Sequence, residues 1–413
     1  MTLNRAGQPP RPAPPAAPEA AVIRSAAEAI AAAHRYAAAI GPGAVARDRD
    51  RVLPAAELAG LAATGLLSLL VPPARGGPGL GRRTITEVFA IISAADGAIG
   101  QIPQNHYQFV DIVLRYGTPR QQELLLGEVL RGARFGNAVS ERTGNVRTDQ
   151  QTVLRREPDG GYRLTGRKYY STGALTAQRV PVRAADAETG ETVAVYVPRD
   201  APGLAVEHDW TAFGQRATIS GTTILDGVAV DPGWVIRFPG EGAAPDTMGA
   251  FGQALHAAVD VGIARGALAD AVGFVTTRSR PALTSGVDRA ADEPHVILRF
   301  GQLQTRLHAA EALLDRAGRL LDEADADPSA DAVTSARLAV AEAKAFGGET
   351  ALEIASESLE LLGASSTDAA HGLDRHWRNA RTHTLHDPAR FKYLAVGAHL
   401  LNGTVPPAAN ILI

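Results

Sequence analysis

The sequence predicts a mainly α-helical protein interrupted by one central β segment, and three observations carry that expectation. Apolar residues recur at spacings of three and four from Ala20 to about Arg134. Short runs rich in branched and aromatic residues replace them over about 136–240, and from about Asp246 the helical period returns. No segment repeats another, so the order α, β, α describes three parts of one protomer. With 413 residues, 45% of them hydrophobic, the chain can bury a large core.

Taken in order, residues 1–19 are crowded with prolines from Pro9 to Pro18 and read as a disordered arm. A first helical domain is expected over 20–135. Ile23, Ala27, Ile30 and Ala31 mark one helix, and Leu53, Leu58, Leu61 and Leu66 mark another. The turn-rich Val71-Pro-Pro-Ala-Arg-Gly-Gly-Pro-Gly-Leu-Gly81 separates them from a helix over about 84–95, and Thr118 and Pro119 read as the N-cap and first residue of a further helix. In the β domain, expected over 136–240, the strand-like runs are 161–165, 179–183, 192–197 and 222–226, with turn signals at Asp159-Gly160, Thr189-Gly190 and Pro202-Gly203. The last part, 245–413, carries a helical stripe from Leu303 to Leu321 and a helix from about Thr334 to Leu362 that stops at Gly363.

Composition excludes several function classes. Lys plus Arg total 41 against 44 Asp plus Glu, so no global field favours nucleic acid or an anionic membrane. The absence of cysteine removes disulfides, iron–sulfur clusters, thiolate zinc sites and cysteine nucleophiles. Neither a targeting signal nor an apolar run of spanning length is visible, which points to the cytoplasm.

Several motifs invite chemistry. The Gly76–Gly81 cluster has Arg82 where a dinucleotide loop needs its last glycine, so it reads as a turn between helices and leaves no nicotinamide site. No nucleophile elbow is present. His371, His376, His383 and His386 cluster before Asp387-Pro388. A metal site, acid–base work and solvated surface are all open there, with acid–base work preferred. In Gly166-Arg-Lys-Tyr-Tyr-Ser-Thr-Gly173, a strand end could be a plain edge, or could lay hydroxyls and rings against a flat heterocycle.

Together, the segments 71–81, 93–97, Ser140-Glu-Arg-Thr-Gly144, 166–173, the Arg278 region, Glu360–Thr367 and Arg378-Asn-Ala-Arg381 resemble the acyl-CoA dehydrogenase superfamily. Gln104-Asn-His-Tyr107, Tyr170–Ala174 and Asp374–Pro388 resemble its flavin-dependent monooxygenase branch, that of dibenzothiophene monooxygenase and the sulfur-acquisition oxidoreductases. The resemblance implies an N-terminal helical domain, a middle β-barrel domain and a C-terminal four-helix bundle, assembled as a homotetramer. Where many dehydrogenases carry a Glu base, this chain reads His386-Asp387-Pro388. Asp is a methylene shorter and poorly suited to reach an α-proton.

The resemblance therefore implies an oxygenase fed with reduced FMN by a separate flavin reductase, forming a flavin C4a-hydroperoxide and oxygenating a small organosulfur substrate. His386 becomes the expected donor to the peroxide, with His383, His106 and Ser171 as further catalytic candidates. Ser140, Ser171 and Thr172 would face the flavin ring, while Arg278, Arg378 and the backbone of Gly363, Ala364 and Ser365 would hold its phosphate. His106, Tyr107 and Asp387 would shape the substrate side. The competing readings are an FAD-dependent acyl-CoA dehydrogenase with Asp387 as base, and a flavin-free helical scaffold.

Overall fold

The computed structural model describes residues 20–142, 150–238 and 246–406, so the expected N-terminal arm and residues 143–144 of the Ser140 motif lie outside the described residues. Seven helices come first: α1 (Ala26–Ile40), α2 (Ala44–Asp50), α3 (Ala55–Ala63), α4 (Arg82–Ala95), α5 (Gly97–Gln101), α6 (Gln104–Tyr116) and α7 (Pro119–Leu130). The Thr118 side chain caps α7 in a capping box with Gln121, and Pro119 occupies the first turn, where no N–H is missed. The glycine cluster at 76–81 is a turn leading into α4.

The middle part is one seven-stranded sheet: β1 (Val153–Arg156), β2 (Tyr162–Lys168), β3 (Arg179–Asp186), β4 (Thr192–Pro198), β5 (Leu204–Val206), β6 (Thr223–Val230) and β7 (Val235–Arg237), in the order β5-β6-β2-β1-β3-β4-β7. Strands β1, β5 and β7 carry no alternation legible in the sequence, because each is only three or four residues long. A core of Leu154, Leu164, Val180, Val182, Val195 and Val228 fills one face of the sheet.

Three long helices, α8 (Met248–Thr277), α9 (Pro294–Ala326) and α10 (Ala330–Leu362), form the C-terminal bundle with α11 (Asp374–Thr384) and α12 (Ala389–Asn402). From Ala250 to Ala264, α8 is buried all round, as expected of a helix at the centre of a large core. It crosses α4 at backbone distance: a Cβ on Gly262 would lie 2.5 Å from the Ala90 carbonyl oxygen, and one on Gly266 2.3 Å from that of Ala94. Helices α8 and α10 run side by side in the same sense, since Lys344 pairs with Asp260 while Ser279 bonds the Leu362 carbonyl.

Candidate active site

Within the buried run Ala250–Ala264 of α8, only Gln253, His256 and Asp260 carry polar side chains. His256 and Asp260 are one turn apart and share a face. That face meets Lys344 of α10, His383 in the last turn of α11, and His386, Asp387 and Lys392 around the start of α12. Asp260 Oδ2 accepts from Lys344 Nζ at 2.7 Å, and Asp260 Oδ1 accepts from His383 Nδ1 at 2.5 Å. The Nε2 of His383 lies 2.9 Å from His256 Nδ1. The His256 ring then stacks on His386, with centroids 4.1 Å apart and planes at 28°. His386 Nδ1 faces Asp387 Oδ1 at 3.2 Å, and Lys392 Nζ donates to Asp387 Oδ2.

Charge explains why so many ionisable groups tolerate burial here. Burial alone would raise the Asp260 pKa, but the charges and hydrogen bonds of His383 and Lys344 outweigh it and hold the carboxyl below its ordinary range. His256 is pushed well below the usual imidazole value by burial and then by His386, His383, Lys344 and Lys392. His383 is lowered by burial, with Asp260 opposing. His386 is lowered in the same way, by loss of solvent and by the Lys344 and Lys392 ammonium groups. Its side chain is nevertheless 45% exposed, so it is the ring through which solvent reaches the cluster.

A second polar group lies where β2 ends. The chain leaves Lys168 through Tyr170, whose φ of 57° is left-handed, and Asn137 Nδ2 bonds the Tyr170 carbonyl at 3.1 Å. Ser171 and Thr172 are buried. Thr223 donates to Ser171 Oγ at 2.8 Å. Hydroxyls then run in a chain from Thr172 to Ser220 at 2.7 Å and from Ser220 to Thr218 at 2.8 Å, and Thr218 donates to the Gln215 carbonyl. The Gln215 N–H in turn donates to Asn379 Oδ1 at 2.7 Å, one turn before His383 on α11. This chain ties the sheet exit to the histidine cluster.

The Asn137 Oδ1 atom is buried without a partner. An orphaned acceptor costs about 1–3 kcal/mol, and an imide N–H such as that on the pyrimidine edge of a flavin would satisfy it. The donor and acceptor set of Asn137, Ser171 and Thr172 thus fits a flavin ring.

Other expected site residues land elsewhere. His106 is fully buried in the N-terminal core: its Nδ1 accepts from the Phe135 N–H at 3.0 Å and its Nε2 donates to the Leu67 carbonyl at 2.8 Å. Tyr107 is also buried, and its hydroxyl donates to the Leu66 carbonyl. Both residues weld α6 to neighbouring backbone and do not face a substrate pocket. His383 has both nitrogens engaged by Asp260 and His256, leaving none for a metal. Arg378 is spent on Asp48 and Asp374, so its charge is matched before any phosphate arrives. Ser140 gives its carbonyl to the Tyr169 N–H beside the second polar group.

Arg278 and Gly363 each adjoin a contact at the far end of the bundle, where the Ser279 hydroxyl donates to the Leu362 carbonyl. From His256 to Arg278 the helix advances about 33 Å at 1.5 Å per residue, farther than one flavin mononucleotide reaches. Arg278 therefore lies too far from the imidazole cluster for one flavin to touch both within one protomer.

Sequence reasoning missed His256, Asp260, Lys344, Lys392 and Asn137. A signal for two of them was present, namely a His and an Asp four residues apart in an otherwise apolar helical run.

Three family models match this chain: the acyl-CoA dehydrogenase N-terminal domain over 20–133, the middle domain over 136–228 and the C-terminal domain over 254–391. Dibenzothiophene monooxygenase of Rhodococcus qingshengii is 34% identical, covering 88% of this chain and 90% of that protein. A probable FMNH2-dependent monooxygenase of Pseudomonas putida is 30% identical, covering 92% and 96%. Among solved structures, the FMN-bound dibenzothiophene monooxygenase of Paenibacillus sp. A11-2 superposes with a TM-score of 0.88 at 30% identity, covering 92% and 99%. Methanesulfinate monooxygenase of Pseudomonas fluorescens superposes with 0.86 at 29%, covering 92% and 98%.

Proposed function

The chain belongs to the acyl-CoA dehydrogenase family, and we propose that within it the protein is a reduced-FMN-dependent monooxygenase acting on a small organosulfur compound. One observation carries this reading: where a dehydrogenase needs a free carboxylate, this site has stacked imidazoles and a carboxylate that is already engaged. Asp387 is buried, with Oδ1 on His386 and Oδ2 on Lys392. Both oxygens are already engaged, and no unpartnered oxygen is left to take an α-proton. The relatives named for oxygenation of dibenzothiophene and methanesulfinate support the same choice.

Bound reduced FMN supplies the electrons that activate O2. The residues of this chain do the rest. Asn137, Ser171 and Thr172 would hold the pyrimidine edge of the ring, and the buried hydroxyl chain from Thr172 to Asn379 keeps that edge in register with α11. His386, half-exposed and backed by Asp387, would deliver the proton that departing oxygen requires.

With no nicotinamide loop at Gly76–Gly81, electrons come from a separate flavin reductase. No described helix is long and apolar enough to cross a membrane, and a cytoplasmic setting, where reduced flavin is generated, suits the reaction. A homo-oligomer, as a tetramer, supports the phosphate end: Arg278 and Gly363–Ser365 would serve a neighbour's flavin. The apolar residues Phe391, Leu394, Leu400 and Leu401 that α12 leaves exposed would be covered in that assembly.

Anaerobic titration tests this reading. The protein as purified should bind reduced FMN more tightly than FAD, and added acyl-CoA thioester should reduce no bound flavin. Tightly held FAD bleached by a thioester would establish the dehydrogenase instead.

A further inference from the structure

We infer that the stacked rings of His256 and His386 can take up one proton between them and not two, and that the buried Asp260–His383 unit orients His256 for that task. The hydrogen bonds fix the tautomers in order. Asp260 is ionised and accepts from Lys344, so the His383 Nδ1 facing it at 2.5 Å carries a hydrogen. A neutral His383 then has a bare Nε2, and the 2.9 Å contact requires His256 Nδ1 to donate to it. His256 is left with an unprotonated Nε2. By the same logic, Asp387 takes the Nδ1–H of His386 and leaves the Nε2 of that ring bare.

Two proton-accepting rings therefore stack 4.1 Å apart. A charge on one repels a charge on the other at that separation, so one proton excludes the second. The groups facing the pair are Asp260 on α8, Lys344 on α10, His383 on α11, and Asp387 and Lys392 beside α12. Two carboxylates and two ammonium groups cancel, so the added proton sets the charge of the cluster.

When His386 gives the pair's added proton to a developing oxygen anion, both rings are neutral and His256 keeps Nδ1–H on His383. No electrons move and no other bond changes. Solvent returns the proton through the half-exposed His386. His383 and Asp260 are thus positioning residues acting through His256. The assignment of this proton to oxygen transfer rests on the monooxygenase reading, whereas the tautomers and the pairing do not.

The flavin-free protein tests both structural points. Neutron diffraction should place hydrogen on Nδ1 of His383 and of His256, with His256 Nε2 bare at neutral pH; hydrogen on His256 Nε2 with a bare Nδ1 would overturn the relay. Exchange at each imidazole C2–H, followed by mass spectrometry, gives individual titration midpoints. His386→Asn should raise the His256 midpoint by about one pH unit or more, a tenfold change in proton affinity, and an unchanged midpoint would overturn the pairing. With reduced FMN and substrate, His256→Asn should divert O2 to hydrogen peroxide and move the acid limb of the coupling profile. Unaltered coupling in that variant would remove the proton pair from catalysis. If the flavin-free results hold and the wild type oxygenates nothing, the monooxygenase reading alone fails.

Discussion

His106→Phe separates a structural histidine from a catalytic one. In the folded protein the ring satisfies two buried backbone groups, the Phe135 N–H and the Leu67 carbonyl. A phenyl ring fills similar space among Tyr107 and Phe135 but orphans both groups, at about 1–3 kcal/mol each. The expected loss is about 2–6 kcal/mol at pH 7.5, and with roughly 1 °C per kcal/mol for a chain of this size the melting temperature falls by about 2 °C or more. His106→Gln can still donate to Leu67 and should lose about half as much.

The pH dependence adds a second mark. Burial pushes the His106 pKa from 6.5 to about 4, so the unfolded chain takes up a proton before the folded one does. The stability this ring contributes is complete above about pH 6.5 and declines as pH falls, by about 2 kcal/mol at pH 5. His106→Phe has no such term, so its deficit should shrink by that amount on acidification. Thermal unfolding by calorimetry at the two pH values reads both effects. An unchanged melting temperature with lost coupling of O2 to product would refute the reasoning and return His106 to the site.

Other substitutions probe the remaining contacts. Asn137→Leu removes an orphaned acceptor but also the Nδ2 donor to the Tyr170 carbonyl; the two effects offset, so apo stability should change by less than about 1 kcal/mol while reduced-FMN affinity falls about tenfold, measured by anaerobic fluorescence titration. Lys344→Met leaves Asp260 facing only His383; it should destabilise by about 3–5 kcal/mol near pH 8 and recover partly near pH 6, where His383, relieved of the Lys344 charge, takes up a proton, as denaturation midpoints would show. Gly214→Ala places a Cβ 1.8 Å from the Arg378 carbonyl oxygen; it should push the 207–222 loop off α11 and weaken stability and flavin binding together. Arg278→Ala and His386→Ala should each be inactive alone, and mixed oligomers of the two should regain turnover if phosphate binding crosses between subunits.

Periodicity made the architecture legible. The cap at Thr118, the stop of α10 at Gly363, the strand exit at 166–173 and the α, β, α order all follow from local chemistry. The short strands did not show, because three residues hold too little pattern. At the site, sequence found His383, His386 and Asp387, which cluster along the chain. It misplaced His106 and Arg378, since a histidine's role depends on partners such as Phe135 and Leu67, and an arginine's on Asp48, 330 residues away. It overlooked His256 and Asp260 because polar residues in an apolar helix look like interruptions until Lys344 and His383 are packed against them. Of the expected phosphate residues, Arg278 proved to sit at the opposite end of α8 from His256, a separation only helix length reveals, whereas Arg378 lies on α11 with His383.

The most direct measurement is isotopic. The protein is supplied with a flavin reductase, FMN, labelled oxygen-18 gas and either dibenzothiophene or methanesulfinate. One labelled atom should enter the sulfur product per turnover, and His386→Ala should consume the same gas as hydrogen peroxide with little product. Unlabelled product, or oxygen transfer undiminished in His386→Ala, would contradict the account.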